Sequence, residues 1–439
     1  MPKGAFLLVT IGNIVSAAAQ WYIIWLFARQ DGAHAVGQYS ALLAFLTPIF
    51  ISAQLGLRNL YISLQRHVRW NVYLGLRLST IIISSATALS IIWYLGGVFD
   101  WQLATAVLVI KISDSLADLF FARLQRAERL TAFGMLLIAD ACATTAVVTV
   151  IMLTTGSVIA AVWGAAATGV LAACITVALG LSAPSEPMQH SSPGLAVSPL
   201  EFVDRKRTVH EIWALLRAGV PLSLMQGIYS LLSYVPLGVV GMFGSASDVG
   251  RYASAAYLVV FANLVGASAE TVLLPGYRRR FQATGRTDLL RSITAHSLIT
   301  FLALSPLIVL AVIVGPNLIT AVYGPEFSIS RLAVLFLALA ACITMPTYMM
   351  SAALLVFNRY WATTVIGAAS VLSVLGAGFI AGTFGLEAVE AGCFALLVGS
   401  LVRYSGELVL CHLPRQLSAH RSGTTEHAVQ VLKTSKVPK

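Results

Sequence analysis

The chain has 439 residues, 58% hydrophobic and 10% charged, with a mean hydropathy of +0.84 and a formal net charge of +10. Soluble domains carry about 25% charged residues, so this composition cannot supply a polar skin. It excludes a soluble enzyme, a secreted disulfide scaffold and a disordered chain, and it leaves a polytopic membrane protein. The positive excess would suggest nucleic acid in a soluble protein. In a membrane protein it reflects the collection of Lys and Arg in cytoplasmic loops, and no nucleic-acid partner is expected.

Crossing the hydrocarbon core takes about 20 apolar residues. The first such stretch is 5–28. Ala17-Ala18-Ala19 resembles a signal-peptide cleavage site, but the apolar run continues through Trp21 to Phe27, which predicts an uncleaved helix. Further spans are predicted at 39–60, 73–98, 103–121, 133–153 and 157–181. A stretch with Pro184, Pro187, Pro193 and Pro199 then reads as a flexible cytoplasmic linker. Beyond it come 212–242, 253–274, 293–314, 332–357, 362–383 and 386–413, which makes twelve spans.

The predicted organisation is a six-helix bundle over 1–182, a linker over 183–211, a second six-helix bundle over 212–413 and a basic tail over 414–439. With both termini cytoplasmic, 21 of the 28 basic residues fall in cytoplasmic segments, Arg77 among them. Only Arg29, Arg251 and Arg331 fall on the other side. That asymmetry sets the expected orientation.

The two halves share a short repeat. Val36-Gly37-Gln38-Tyr39 enters span two, and Val249-Gly250-Arg251-Tyr252 enters span eight, 213 residues later. Equal placement implies two parallel repeats related by an axis normal to the membrane, with a central cavity between them as the substrate site.

Motifs for covalent chemistry are missing. There is no GxxxxGK[ST] phosphate loop, HExxH, CxxC or serine-nucleophile elbow. No enzyme activity, metal site or cofactor is expected. The five cysteines lie in apolar stretches and read as small core residues. Gly376, Gly378 and Gly382 read as helix-packing positions.

Arg58, Lys111, Arg217 and Arg403 fall within spans, as do Asp114, Asp118, Asp140, Glu270, Glu390 and Glu407. A charge at the bilayer centre costs about 2.5–3.5 kcal/mol on insertion scales, so each should face a cavity, a partner or the interface. Lys111, Asp114 and Asp118 are spaced i, i+3 and i+7, along one helical face. That stripe suits a wet lumen or a proton site; the alternative is a local Lys111–Asp114 pair. Asp140 is a further candidate carrier of a coupling proton, or a partner for Lys111. Arg58 and Arg217, near cytoplasmic ends, either snorkel or meet an anionic head group. Glu270 reads as interfacial, and Arg403 with Glu407, at i and i+4, reads as a local pair.

Several features together resemble the bacterial oligosaccharide flippases of the polysaccharide transporter branch of the multidrug/oligosaccharidyl-lipid/polysaccharide superfamily. They are the two six-span halves, the Val-Gly-x-Tyr entry to span two with Pro48 after it, and Arg58 closing that span. Asp118-x4-Arg123-Leu124-Gln125-x3-Arg129 and Val322-Tyr323-Gly324-x2-Phe327 belong to the same pattern. The resemblance covers about residues 1–412. It implies translocation of an undecaprenyl-pyrophosphate-linked oligosaccharide (an O-antigen unit is one such cargo) across the cytoplasmic membrane. It also implies membrane lipid, a glycan polymerase and glycosyltransferases as partners.

A hydrated cavity would replace water around sugar hydroxyls while a lateral opening leaves the lipid tail in the bilayer. Arg58, Lys111, Arg217 and Arg251 are the expected cavity cations; Asp114, Asp118 and Asp140 are the candidates for ion coupling. The competing expectations are a drug or small-cation exporter of the same superfamily and a non-transporting scaffold for glycan assembly.

Overall fold

A computed structural model describes residues 3–63, 68–94, 97, 99–183, 205–357 and 359–413. Every regular element among them is helical. In chain order they are α1 (Lys3–Ala53), α2 (Leu57–Ser63), α3 (Trp70–Tyr94), α4 (Trp101–Arg126), α5 (Leu130–Thr155) and α6 (Val158–Leu181). The second half has α7 (Arg205–Phe243), α8 (Ala246–Tyr323), a single 3-10 turn (Pro325–Phe327), α9 (Arg331–Val356), α10 (Tyr360–Thr383) and α11 (Ala388–His412).

Helix α1 is too long for one crossing: 51 residues rise about 76 Å. Gly32 breaks it, with φ 76° and ψ −170°. A Cβ on Gly134 would stand 3.0 Å from the backbone of Leu8, while the neighbouring ring of Phe133 lies under Arg58. The start of α1 and residue 58 are therefore at the same end of the molecule, so the chain reverses at Gly32. Helix α8 reverses likewise at Gly285, φ 81°. Asn263 before that glycine accepts from Tyr348, and Thr300 after it contacts Met349, the next residue of α9.

These two hairpins carry spans one and two, and eight and nine. The remaining eight predicted spans are α3 to α7 and α9 to α11. The predicted linker meets the structure only at its edge: residues 184–204 lie outside the described residues, and α7 starts seven residues before the predicted span. The tail 414–439 lies outside them altogether.

The end carrying Arg58, Arg126 and Glu211 is called the basic end below, and the end carrying Gly32 the far end. One hydrophobic core joins both halves near the far end, through Phe27, Leu42, Leu103, Val148, Val240, Tyr252, Leu337 and Cys393. Toward the basic end it gives way to separate clusters, one around Leu57, Tyr73 and Leu119 and another around Leu289, Ile293 and Met350. The halves are thus joined at one end and packed apart at the other.

Two smaller expectations change. Cys342, Cys393 and Cys411 are buried, but Cys142 and Cys174 are exposed: apolar surroundings in a span can be lipid as well as protein. Gly378 and Gly382 do admit close neighbours, Val239 and Phe243, whereas Gly376 has open space beside it.

Candidate functional site

At the far end the two copies of the repeat touch each other. A Cβ on Gly37 would stand 1.7 Å from the Ala246 carbonyl oxygen. One on Gly250 would stand 2.0 Å from the Ala33 carbonyl oxygen. Shifting Ala33 and Gly37 by the 213-residue repeat yields Ala246 and Gly250, so each contact is the mirror of the other. Reciprocity of this kind marks a two-fold axis, here passing between two helices that only glycine lets approach so closely. The repeat read in the sequence is the point where the halves cross.

The segment around Tyr323 closes the same end. Trp21 Nε1 donates to Tyr323 Oη at 2.8 Å, Trp25 Nε1 to the Val322 carbonyl at 2.9 Å, and Arg29 to the carbonyls of Ala321 and Val322. The kink at Gly32 frees the backbone N–H of Ala33, which donates to Glu326 Oε2 at 3.3 Å. An acidic group suits that position, where a new helical arm begins.

The basic end breaks the symmetry. On one side of the axis α1 and α7 are in contact: Ser223 donates to the Ser52 carbonyl, and a Cβ on Gly227 would stand 2.2 Å from Ser52 Oγ. Beyond them Arg69 pairs with Glu211 at 3.2 Å and donates to Thr208 at 2.6 Å. The repeat-equivalents of Ser52 and Gly227 are Val265 on α8 and Ile14 on α1. These are 52% and 53% exposed. One side of the axis is zipped and the other presents apolar side chains.

A group of inner charges lies at the same end, where α2, α3 and α4 pack together with α7. Asp118 on α4 accepts from Arg58 on α2 at 3.1 Å and from Arg77 on α3 at 2.9 Å. Arg58 also donates to Gln125 and stacks over Phe133, at 5.3 Å from the ring centroid. Arg77 is fully buried, and its Nε and Nη1 have no acceptor among the described residues. Two guanidiniums share one carboxylate, so the cluster keeps a net positive charge and spare donors.

The Asp118 to Arg129 motif is thereby explained one residue at a time. Arg123 donates to the Ala183 carbonyl and lies over Trp70, and Arg129 donates to Ser182 Oγ at 3.3 Å; Arg126 between them donates to the Tyr61 carbonyl. Placing Arg77 in a loop was wrong: it is an internal residue of α3. Charge counting assigns an Arg near a span end to the loop, and only the position of Asp118 reveals the difference.

Further along α4, Lys111 Nζ is 3.8 Å from Asp114, the local pairing that the spacing allowed. Asp114 is nevertheless 58% exposed, and Tyr39 and Asp140 lie within its electrostatic range. Asp140 accepts from Thr144, which bonds Thr168 on α6. Lys111, Asp114 and Asp140 therefore form a second polar group inside the first half.

Two expected cations stand apart. Arg251 pairs with Asp248 in the capped first turn of α8, at the far end. Arg217 on α7 is exposed and makes no hydrogen bond or ion pair among the described residues.

The second half handles its inner charges differently. Arg403 donates to Glu407 at 3.1 Å, one turn along α11, as the i, i+4 spacing suggested. Ser351 donates to Glu407 at 2.7 Å, and the guanidinium lies over the rings of Tyr229 and Tyr348. Glu270 is within electrostatic range of the pair. No group of His, Cys, Asp and Glu with metal-binding geometry occurs among the described residues.

No family model and no curated protein matches the chain by sequence. Solved structures do match it. One is an inward-facing multidrug resistance MATE family transporter of the MOP superfamily, with TM-score 0.65, 12% identity and coverage of 97% of this chain and 96% of that one. The lipid II flippase MurJ in an inward closed conformation matches with TM-score 0.64, 14% identity and coverage of 98% and 94%. A MOP superfamily transporter from Pyrococcus furiosus Vc1, described as having a binding pocket of reversed polarity, matches with TM-score 0.56, 13% identity and coverage of 93% and 95%. The chain shares the fold of these membrane transporters over nearly its whole length.

Proposed function

We propose that this protein is a flippase that carries a lipid-linked oligosaccharide across the cytoplasmic membrane, with the basic end at the cytoplasm and both termini there. The observation that carries the reading is the broken two-fold at the basic end. A lipid-linked substrate needs an opening to the bilayer for its tail and a polar, cationic place for its head. The exposed Ile14 and Val265 supply apolar walls, and Arg58 and Arg77 with their single carboxylate lie at the same end of the molecule. A pyrophosphate there would meet the net positive charge of the cluster through Arg58, whose guanidinium is partly exposed and of a kind that binds phosphate oxygens in pairs. Lys111 with Asp114, and Asp140, would line the path deeper in, as candidates for sugar contact and ion coupling. The sealed far end would keep the outer leaflet closed in this state. Such a protein would stand beside the polymerase and glycosyltransferases that handle the same glycan.

Removing the gene should make lipid-linked oligosaccharide accumulate at the cytoplasmic leaflet and surface polysaccharide fall. Normal surface glycan with altered drug tolerance would replace this reading by a drug exporter. In the intact protein, a disulfide between I14C and V265C should stop glycan export until it is reduced. Export at the wild-type rate by the cross-linked protein would overturn the lateral route.

A further inference from the structure

We infer that the α8 hairpin holds a site for an anionic phospholipid, separate from the substrate path. The two arms that meet at Gly285 border an open, shallow cavity of about 290 Å³ lined by Arg280, Thr284, Asp288, Arg291, Ser292 and Ala295. That volume accommodates a phosphate group with bound water. Arg280 donates to Ser292 Oγ at 2.7 Å across the turn, which holds its guanidinium at the rim. Arg291 makes no hydrogen bond or ion pair with a described residue, although Asp288 shares the cavity. Arg278 and Arg279 add two exposed cations on the preceding turn. The one carboxylate is therefore outnumbered, and the cavity is positive.

The arm leading away from the cavity identifies the rest of the ligand. Leu298, Ile299 and Leu302 are exposed on it. The most apolar 18-residue stretch of Gly276–Tyr323 has a mean hydropathy of 2.7 and no buried residue. Such a face is in contact with acyl chains. A phosphate ester bound at the hairpin would lay its chains directly along these side chains, which a free phosphate could not do. Clustered cations at the edge of a lipid-facing helix favour anionic over zwitterionic head groups. The site differs from the substrate path in its walls, since neither Arg58, Arg77, Ile14 nor Val265 contributes to it. It also does not depend on the flippase reading.

The test is lipid retention by the purified full-length protein in detergent, followed by native mass spectrometry with phosphatidylglycerol, phosphatidylcholine or inorganic phosphate added. Wild type should retain phosphatidylglycerol in preference to phosphatidylcholine. R280Q/R291Q should weaken phosphatidylglycerol retention by about fivefold for each arginine removed. R278Q/R279Q removes the same charge outside the cavity and should lose less. Equal loss in the two double variants would overturn the site, as would equal retention of the two lipids by wild type. Displacement of the lipid by millimolar inorganic phosphate would overturn its assignment to a phospholipid. R280K/R291K controls for folding, and should keep the charge and most of the retention. Loss of glycan export in R280Q/R291Q is not required.

Discussion

The two halves share a fold and a sequence repeat, yet they settle the cost of inner charge in different ways. In the first half the carboxylate of Asp118 joins three helices by accepting from Arg58 and Arg77, and one positive charge is left over. In the second half Arg403 and Glu407 neutralise each other within a single helix, and Ser351, Tyr229 and Tyr348 enclose them. Both arrangements satisfy the rule that a buried charge needs a partner. Only the first retains the capacity to bind something else. An incomplete pairing leaves charge and donors over, and a complete one is a structural tie.

Asp118→Ala should have the largest effect. It leaves two guanidiniums without their carboxylate, at a cost of about 3–5 kcal/mol, visible as a lowered melting temperature in detergent. Were it no more harmful than Asp114→Ala, the two acids of α4 would be equivalent and the contrast would fail. Glu407→Ala strands Arg403 among rings and should cost about 3 kcal/mol by the same measurement. Replacing both partners with methionine, R403M/E407M, should come within about 1 kcal/mol of wild type and preserve export, because a closed pair can be exchanged for apolar packing. If export were lost while the fold survived, the second-half pair would have to be counted as functional.

Arg58→Ala should be mild for stability, about 1–2 kcal/mol, since Arg77 keeps Asp118 paired. Its effect on export should be stronger, near tenfold if one phosphate contact of about 1.4 kcal/mol is lost. Unchanged export would leave the cluster a structural role only. Lys111→Ala should change stability least, below about 1 kcal/mol, because its 3.8 Å pair reaches an exposed carboxylate. Export should still fall if Lys111 meets the sugar, and a transport assay at matched protein level separates the two effects.

Much of this was legible along the chain. Twelve apolar stretches of adequate length correspond to eight single helices and two hairpins, because the need to satisfy every backbone group in lipid leaves no other solution. The Arg403–Glu407 and Lys111–Asp114 pairs followed from helical spacing alone. Arg77 did not, because its partner is 41 residues away on another helix. The position of Arg251, apart from the other expected cavity cations, was not legible for a related reason. Its local partner Asp248 lies in a helix-capping turn, and a capped first turn holds its arginine at the far end.

The amino-acid sequence by itself determined the membrane-spanning class, the number of crossings, the charge asymmetry and the duplication, since these depend on composition, length and spacing. Only the tertiary structure decided what the duplication does. Gly37 and Gly250 face each other across the axis at a distance that no other residue permits, while the equivalent contact at the basic end exists on one side and not on the other. A repeat encodes two similar halves; how they are tilted against each other is settled by packing between residues some 200 positions apart, and that tilt is what leaves one side of the basic end zipped and the other open.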